Sequence, residues 1–446
     1  VKSQGVFFGS CFCTQFSRGG ESKSSAFRAI QIHTTMPPSP TAVAATDRSN
    51  NKRKKKKQQP TYLQEHLGVV CLAVSFVLIS LTFIDPTTTT PGSFPETLLS
   101  IAHKAVYLDH AVVVGTNEAG QLSSDRRPTV QGDVLYARGP SDIYFVLGWS
   151  VMLCGLRHLI QTLILKPLAR CVLGASFSKR KPMQIHKFAE NGWQVLYYGT
   201  AFVTGFSIQY GTDWWFGGMS RLGGPDDWDA NLWKGYGGVN PASPFWNFHT
   251  YRMKTYYLMQ LAFWFSMIFV TLVEPWRSDT LFMMIHHLIT TFLVGGSFAM
   301  DNVRTGTAVL VEQDLADIFL PLAKCFKYLN MPNMGDVWFA TFAISWYPTR
   351  HFLFFLLYYS VYVHYPLYCW SKTVAGVPTW NPSQGYYNTE YSYHVFLGVL
   401  ACFQCLLLRW GLVDLGPAVY RALCTKENVE DHRSGTDDDD DVLKED

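Results

Sequence analysis

Charge is scarce in this sequence: only 16% of its 446 residues are Asp, Glu, Lys or Arg, against about 25% in a typical soluble domain. The sequence also contains no glycine-rich phosphate loop and no G-x-G-x-x-G dinucleotide fingerprint, so nucleotide chemistry of those two kinds is not indicated. The 13 histidines include one adjacent pair but no H-x-x-H-H or H-x-x-x-H box. The repeated histidine boxes of membrane di-iron enzymes are therefore missing, and we expect no metal site.

The few charges are segregated along the chain. Residues 52–57 (KRKKKK) form a basic block and residues 437–441 (DDDDD) an acidic one. We predict that residues 1–66 are a disordered leader with a basic block and that residues 416–446 are a cytosolic acidic tail. Residues 1–35 lack the basic and apolar regions of a secretory signal peptide, and we expect them to be an extension upstream of Met36.

Long hydrophobic runs are abundant, and 48% of all residues are hydrophobic. Several runs approach the roughly 20 residues that a helix needs to cross a bilayer. The sequence therefore predicts an all-α polytopic membrane protein with about eight transmembrane helices around a central helical bundle. The eight predicted spans are residues 67–84, 143–165, 192–211, 256–273, 281–300, 307–329, 337–363 and 394–415.

Loop charges predict the orientation of these spans. The block before the first span and the loop after the second span, residues 166–187, are both basic, whereas residues 225–230 (PDDWDA) are acidic. Positively charged loops stay in the cytosol. With eight spans, both termini then face the cytosol.

Ionisable residues inside the spans are the strongest indication of function. His286 and His287 interrupt the apolar stretch LFMMIHHLITTFLV, and Asp314 and Asp317 lie in the next span. A charge at the centre of a span costs about 2.5–3.5 kcal/mol on insertion scales, so such residues are functional by default. The histidines lie about 8–10 Å from the cytosolic start of their span at 1.5 Å per residue.

The spacing of these four residues favours a buried proton-handling site. Asp314 and Asp317 are three residues apart and share a helix face, while adjacent histidines point about 100° apart. We expect one imidazole to do chemistry and the other to position it. A neighbouring carboxylate fixes the tautomer of a histidine and stabilises its protonated form. Two alternatives remain: structural, hydrogen-bonded histidines, and a metal centre.

Three stretches resemble the ceramide synthases, the longevity-assurance branch of the TLC membrane-domain superfamily. They are FWFSMIFVTLVEPWRSD from residue 263, IHHLIT from residue 285, and NVRTGTAVLVEQDLADIFLPLAKCFKYLN from residue 302. The resemblance extends over residues 138–415, which we expect to be a TLC-type catalytic transmembrane domain behind a separate first helix at residues 67–84. The basic leader and acidic tail are most similar to fungal members. Gln313 departs from animal members, which usually carry His there.

The resemblance implies an acyl-CoA-dependent sphingosine N-acyltransferase. Such an enzyme transfers a fatty acyl group to the amine of a sphingoid base, sphinganine or phytosphingosine. Because both substrates have long alkyl chains, the resemblance also implies that the central helical bundle encloses a lipid tunnel. His286 or His287 would act as general base or carry the acyl group, and Asp314 and Asp317 would orient a histidine or hold the substrate ammonium.

The resemblance also implies substrate-binding residues, partners and location. Arg157, Arg304 and Arg350 would balance charge or bind the phosphates of coenzyme A, whose head would lie near the basic loop 166–187. We expect no bound cofactor, with acyl-CoA as co-substrate, and no nucleic-acid partner. The expected setting is the endoplasmic reticulum membrane, and a homo- or hetero-oligomer with other synthase subunits is left open. The alternative is a non-catalytic TLC-domain protein in translocation or in lipid or cargo transport.

Overall fold

The computed structural model describes residues 61–84, 92–116, 122–123, 133–174, 176, 181–212, 214, 232–233, 248–274, 279–300, 302–368, 380–381, 386–387 and 390–424. The basic block at residues 52–57 and the acidic run at residues 437–441 lie outside these residues. So do the acidic loop 225–230 and parts of the basic loop 166–187.

Helices dominate the described residues. In chain order they are α1 (Thr61–Leu81), α2 (Phe94–Val106), α3 (Asp142–Ile160), α4 (Lys166–Leu173), α5 (Pro182–Gln209), α6 (Tyr251–Val273), α7 (Thr280–Ala299), α8 (Val303–Tyr328), α9 (Pro332–Tyr347), α10 (Phe354–Tyr368), α11 (Glu390–Arg409) and α12 (Gly416–Cys424). Single π-helical segments join α3 to α4, α9 to α10, and α11 to α12.

Each of the eight predicted spans falls on a helix. Four helical segments are long and apolar enough to cross a membrane: Asp142–Leu173, Tyr251–Val273, Thr280–Ala299 and Glu390–Arg421. A shorter apolar helix covers His66–Leu81. The prediction of a mainly helical membrane protein is therefore confirmed. The full set of eight crossings stays a prediction, because α5, α8 and α9–α10 are not among these long apolar segments.

A small antiparallel sheet departs from the predicted all-α fold. Its strands are β1 (Ala111–Thr116), β2 (Leu122–Ser123), β3 (Asp133–Ala137) and β4 (Phe248–Thr250), in the order β2-β1-β3-β4. A second pair joins β5 (Trp380–Asn381) to β6 (Tyr386–Tyr387). These strands are short and lie in connections between apolar runs, where hydropathy gives no signal.

The sheet marks one end of the helix bundle. Helices α3 and α6 begin beside it, since β3 and β4 lead directly into them. Helix α7 ends there, and the Arg138 guanidinium after β3 donates hydrogen bonds to the last-turn carbonyls of Phe298 and Ala299. A cation in this position satisfies carbonyls that a helix C-terminus leaves unpaired. We call this the sheet end, and the opposite end, which carries Lys166, Lys327 and other cations, the basic end.

One buried lysine ties the sheet to the bundle. The Lys254 side chain on α6 is 0% exposed, and its Nζ lies 2.7 Å from Oδ1 of Asp142, the first residue of α3. The same ammonium group donates to the backbone carbonyls of Ala137 (2.7 Å) and Asp109 (3.0 Å). An ammonium group that is both paired and hydrogen-bonded is stable in such a dry site. Lys254 therefore fixes the start of α6 against α3 and β3.

The Asp109 carboxylate belongs to the same polar cluster. Burial acts to raise its pKa, but hydrogen bonds from the Ser141 hydroxyl (2.7 Å) and the His110 backbone N–H (2.8 Å) oppose this. The charges of His110 and Lys104 act in the same direction, and the pKa falls below its ordinary value. The carboxylate is therefore ionised at neutral pH and adds to the charge network at the sheet end.

The bundle core is rich in aromatic residues. The rings of Tyr197 on α5 and Phe263 on α6 stack with centroids 3.5 Å apart. Helices α5 and α8 approach closely at Gly205, where a Cβ would overlap Val311 and the hydroxyl of Tyr256. The close approach places α8 and its carboxylates in the middle of the bundle.

We predict that Lys254→Met destabilises the fold, because it leaves the buried Asp142 carboxylate unpaired. Loss of one partner of a buried pair costs about 3–5 kcal/mol. The midpoint of thermal unfolding in detergent should fall, and Lys254→Met combined with Asp142→Asn should recover much of the loss, since Asn still accepts from the Gly139 N–H. Equal losses in the single and double variants would contradict a coupled pair.

Candidate active site

The paired histidines lie inside the bundle on α7. His286 and His287 are 8% and 2% exposed. Both rings contact the indole of Trp264 on α6, with centroid distances of 5.4 and 5.8 Å, and they are 5.5 Å from each other. Six residues of α7 precede His286, which places it about 9 Å from the basic end at 1.5 Å per residue.

Aromatic rings hold His286 on its other sides. Phe403 on α11 stacks on the imidazole at 5.5 Å, and the Trp410 ring meets it edge-on at 5.2 Å. Among the described residues, Nδ1 of His286 and Nδ1 of His287 have no hydrogen-bond partner. The imidazoles are therefore positioned by ring packing, and neither predicted aspartate orients them through a hydrogen bond in this structure.

Asp317 forms an ion pair with Arg350. The Arg350 guanidinium is buried, and its Nη2 donates both to Asp317 Oδ1 and to the Gln313 carbonyl, the latter at 2.9 Å. The guanidinium also lies over the Trp346 ring, 4.9 Å from its centroid. Arg350 sits in the π-helical segment Pro348–Leu353, whose opening proline has no N–H to donate to the preceding turn. This wider turn brings Arg350 to α8.

Asp314 occupies a different environment from Asp317. It is 1% exposed, and its Oδ2 accepts a 2.6 Å hydrogen bond from Nε2 of Gln260 on α6. Gln260 Nε2 also donates to the Tyr256 hydroxyl at 3.2 Å. Although Asp314 and Asp317 share a helix face, Asp314 therefore bonds to α6 while Asp317 bonds to the π-helical segment after α9.

Two cavities open inside the bundle. The first, which we call the chamber, has a volume of about 90 Å³ and extends from His286 towards the sheet end. The second, the vestibule, has a volume of about 550 Å³ and extends from the histidines towards the basic end. The chamber walls are mainly apolar and aromatic, and include Tyr257, Val294, Val309, Phe354, Leu357, Val361, Tyr365, Phe396 and Leu400.

The two cavities share four wall residues: Trp264, His286, Asp317 and Arg350. His287 lines only the vestibule. His286 is thus the one of the two histidines that faces both spaces. A reacting group at this junction has an apolar space on one side and a larger, more polar space on the other.

Cations surround the outer part of the vestibule. Lys324 and Lys327 near the end of α8, together with Arg421 on α12, line it, and so do the carboxylates Asp336 and Asp414. The cations give this mouth a surface that suits phosphate groups. They lie on α8 and α12 and not on the basic loop 166–187 that the sequence suggested.

Two of the three predicted substrate-binding arginines lie away from the cavities. Arg157 Nη2 is 3.2 Å from Glu274 Oε1 and 3.8 Å from Glu190 Oε1, and it lines a separate pocket. The Arg304 guanidinium lies 5.9 Å from the centre of the Trp214 ring, and neither cavity includes Arg304. Arg350 is the predicted arginine that reaches the junction.

Sequence reasoning missed Trp264 and Gln260, although both lie in the described α6. Tryptophan is common in membrane helices, so Trp264 carried no signal. Gln260 is an amide in an apolar run, and such a residue predicts a buried hydrogen-bond partner. Its partner Asp314 was a candidate from the sequence, but on the basis of its spacing from Asp317.

Within the described ranges, no three His, Cys, Asp or Glu side chains converge as metal ligands would. The histidines instead meet aromatic rings, and the nearby carboxylates meet arginine and glutamine.

Comparison with known proteins identifies the family. Residues 187–412, about half of the chain, match the model of the TLC domain, and this segment contains the histidines, both aspartates and Arg350. The chain belongs to the TLC-domain family. The predicted domain at residues 138–415 is wider than the matched segment.

Several curated relatives are similar to this TLC-domain chain. The sphingosine N-acyltransferase-like protein ALT7 of Alternaria alternata is 32% identical over 231 residues, which are 52% of this chain and 48% of the relative. The ceramide synthase FUM18 of Gibberella moniliformis is 30% identical over 54% of this chain and 51% of its own length. The sphingosine N-acyltransferase lag1 of Schizosaccharomyces pombe is 28% identical over 63% and 64%. The chain thus spans about half the length of the first two relatives, and the resemblance to fungal ceramide synthases is confirmed.

We predict that Asp317→Asn destabilises the protein, because the buried Arg350 loses its counter-charge. Asn can still accept one hydrogen bond, and Asp317 is 25% exposed, so the loss should be about 1–3 kcal/mol. Asp336→Asn is the matched control, since Asp336 lines the same vestibule but is exposed. Thermal unfolding in detergent measures both; an equal change would show that the Asp317–Arg350 pair contributes nothing.

Proposed function

We propose that this protein is a ceramide synthase that transfers a fatty acyl group from acyl-CoA to the amine of a sphingoid base, sphinganine or phytosphingosine. The observation that carries the proposal is the position of His286, at the junction of an apolar chamber and a cation-lined vestibule. The named activities of the fungal relatives point to the same reaction.

The chemistry of the two cavity linings suits the two halves of acyl-CoA. A fatty acyl chain needs an apolar space, which the chamber offers, and the phosphates of coenzyme A suit Lys324, Lys327 and Arg421 at the mouth of the vestibule. The thioester carbonyl would then lie at the shared wall. Together the cavities would form the lipid tunnel that the resemblance implies, with acyl-CoA as co-substrate and no bound cofactor.

The reaction needs a base at this wall. The amine of a sphingoid base is mostly protonated at neutral pH and must lose a proton before it attacks the thioester carbon. The C–N bond then forms, the C–S bond breaks, and the thiolate of coenzyme A takes up a proton. We assign the proton transfer to His286, with His287 and Trp264 holding its ring in place.

Arg350 and Asp317 complete the assignment. The Arg350 guanidinium faces both cavities and can stabilise the negative oxygen that develops on the thioester carbonyl. Asp317 lines the same wall and can attract the ammonium group of the incoming base. Asp314 has a positioning role, because the hydrogen bond that it accepts from Gln260 holds α8 against α6.

Two chemical routes fit the same residues. In direct transfer His286 is a general base, whereas in two-step transfer its nitrogen attacks the thioester and carries the acyl group. Mixing the protein with acyl-CoA in the absence of sphingoid base separates them. A rapid release of one coenzyme A per protein indicates the acyl-imidazole, and no release indicates direct attack.

We expect His286→Ala to abolish amide formation, with a loss of at least about a hundredfold for a missing general base or nucleophile. His287→Ala should reduce the rate less, since His287 faces only the vestibule. His394→Ala is a matched control, because His394 is exposed on α11 and lines neither cavity. The measurement is formation of ceramide from sphinganine and a series of acyl-CoAs by purified protein.

Either of two results contradicts this assignment. Full activity in His286→Ala would remove the histidine from the mechanism. No amide product at any acyl length from the unaltered protein would favour the alternative, a non-catalytic TLC-domain protein in translocation or in lipid or cargo transport.

The proposed setting is the endoplasmic reticulum membrane, with eight crossings. Successive crossing helices run in opposite directions, so residue 61 and residue 424 both lie at the basic end. Cations at this end favour the cytosol, as the loop charges do. Association with other synthase subunits, as a homo- or hetero-oligomer, is part of the proposal.

We predict that both termini are cytosolic. In sealed microsomes, external protease should remove epitope tags placed at either end, while a tag inserted between β1 and β3 should stay protected until detergent is added. Protection of one terminal tag but not the other would require an odd number of crossings.

A further inference from the structure

A separate pocket at the basic end has walls that offer hydrogen-bond donors. It lies between α1, α3, α5 and the segment that joins α3 to α4. Its polar wall residues are Arg157, His158, Gln161, Lys166 and His186. It shares no wall residue with the chamber or the vestibule. No carboxylate is among its described wall residues, so the pocket is suited to an anion.

Two carboxylates that do not line the pocket hold Arg157 and His186 in position. Arg157 is held by Glu274 at 3.2 Å and by Glu190 at 3.8 Å. His186 Nε2 lies 3.3 Å from the same Glu190. Arg157, His186 and Glu190 are only 13–15% exposed. The pocket is thus a built site and not a patch of mobile surface cations.

Gln161 supplies the observation that points to a ligand. It is 8% exposed and lines the pocket, and among the described residues its Nε2 has no hydrogen-bond partner. A buried amide without a partner costs about 1–3 kcal/mol. An oxygen atom placed in the pocket would accept from this amide.

Gly68 on α1 shapes the opposite wall. A Cβ at this position would lie 2.5 Å from Cγ of His158, so the imidazole can occupy its place only because residue 68 is glycine. A methyl group here would displace His158 within the pocket.

The pocket opens beside surface that faces lipid. Leu163 and Ile164, next to Gln161, are 65% and 56% exposed, and Val69 and Val70 on α1 are 54% and 57% exposed. From Asp142 at the sheet end to Gln161, α3 spans about 29 Å at 1.5 Å per residue, close to the hydrocarbon thickness of a bilayer. Gln161 and Lys166 therefore lie at the depth of lipid headgroups.

We propose that this pocket binds the phosphate group of an anionic membrane lipid, whose acyl chains lie along the exposed faces of α1 and α3. The phosphate oxygens accept from Gln161 Nε2, Lys166 and Arg157. The site is independent of acyl transfer, and its occupation fixes α1 to α3, α4 and α5, since residues of all four helices line it.

The test measures lipid binding directly. Purified protein is placed in phosphatidylcholine nanodiscs, with or without phosphatidic acid, and the midpoint of thermal unfolding and the lipid retained in native mass spectrometry are recorded. Inorganic phosphate and coenzyme A are added in separate arms. We expect phosphatidic acid to raise the midpoint and one copy of it to be retained.

Three variants and one matched control connect the effect to the pocket. Gln161→Leu and Lys166→Gln should each weaken retention of phosphatidic acid by about tenfold, the loss expected for one hydrogen bond to a charged group. Gly68→Ala should also weaken retention, because its methyl group displaces His158 within the pocket. Arg170→Gln removes the same charge as Lys166→Gln from the same short helix, but Arg170 is exposed and outside the pocket. It should retain the lipid as the unaltered protein does.

Several results would overturn the proposal. Equal loss in Lys166→Gln and Arg170→Gln would show surface electrostatics only. The same stabilisation by inorganic phosphate or by coenzyme A would assign the pocket to a soluble phosphate. Failure of ceramide synthesis leaves this test unaffected, because its readout is binding, and loss of lipid retention with intact acyl transfer would support a separate site.

Discussion

The ion pair between Arg350 and Asp317 is the constraint on which the part of the structure around the two histidines depends. A buried guanidinium has to be paired and hydrogen-bonded, and Asp317 together with the Gln313 carbonyl satisfies it. This fixes the π-helical segment after α9 against the middle of α8. The pair also forms part of the wall between the chamber and the vestibule. One interaction therefore sets both the packing of two helices and the place where the cavities meet.

Several other buried polar groups among the described residues follow the same rule, and the two histidines do not. Lys254, Asp314 and Arg157 each have a charged or amide partner close by. His286 and His287 are surrounded by aromatic rings, which hold their position without occupying Nδ1. A group that must exchange a proton or form a bond with a substrate benefits from this arrangement, because no protein partner has to be displaced first.

Composition and charge predicted the helical membrane architecture because long apolar runs and basic loops follow directly from the cost of burying charge. The spacing of the aspartates correctly placed both on one face of α8. The sequence could not show that Asp314 and Asp317 contact different partners. These contacts depend on how the fold places Gln260 and Arg350, which are distant in the sequence. The short strands were missed for a related reason: their pairing partners are remote, and each is only two to six residues long.

The sheet has a consequence for how the chain assembles. Strand β3 ends at Ala137 and its partner β4 begins at Phe248, so α3, α4 and α5 all lie between the two strands in the sequence. Closing so long a connection is slow relative to local contacts. The pairing also constrains the topology. Because β3 and β4 are hydrogen-bonded neighbours, they lie on the same side of any membrane, so the chain between them crosses it an even number of times.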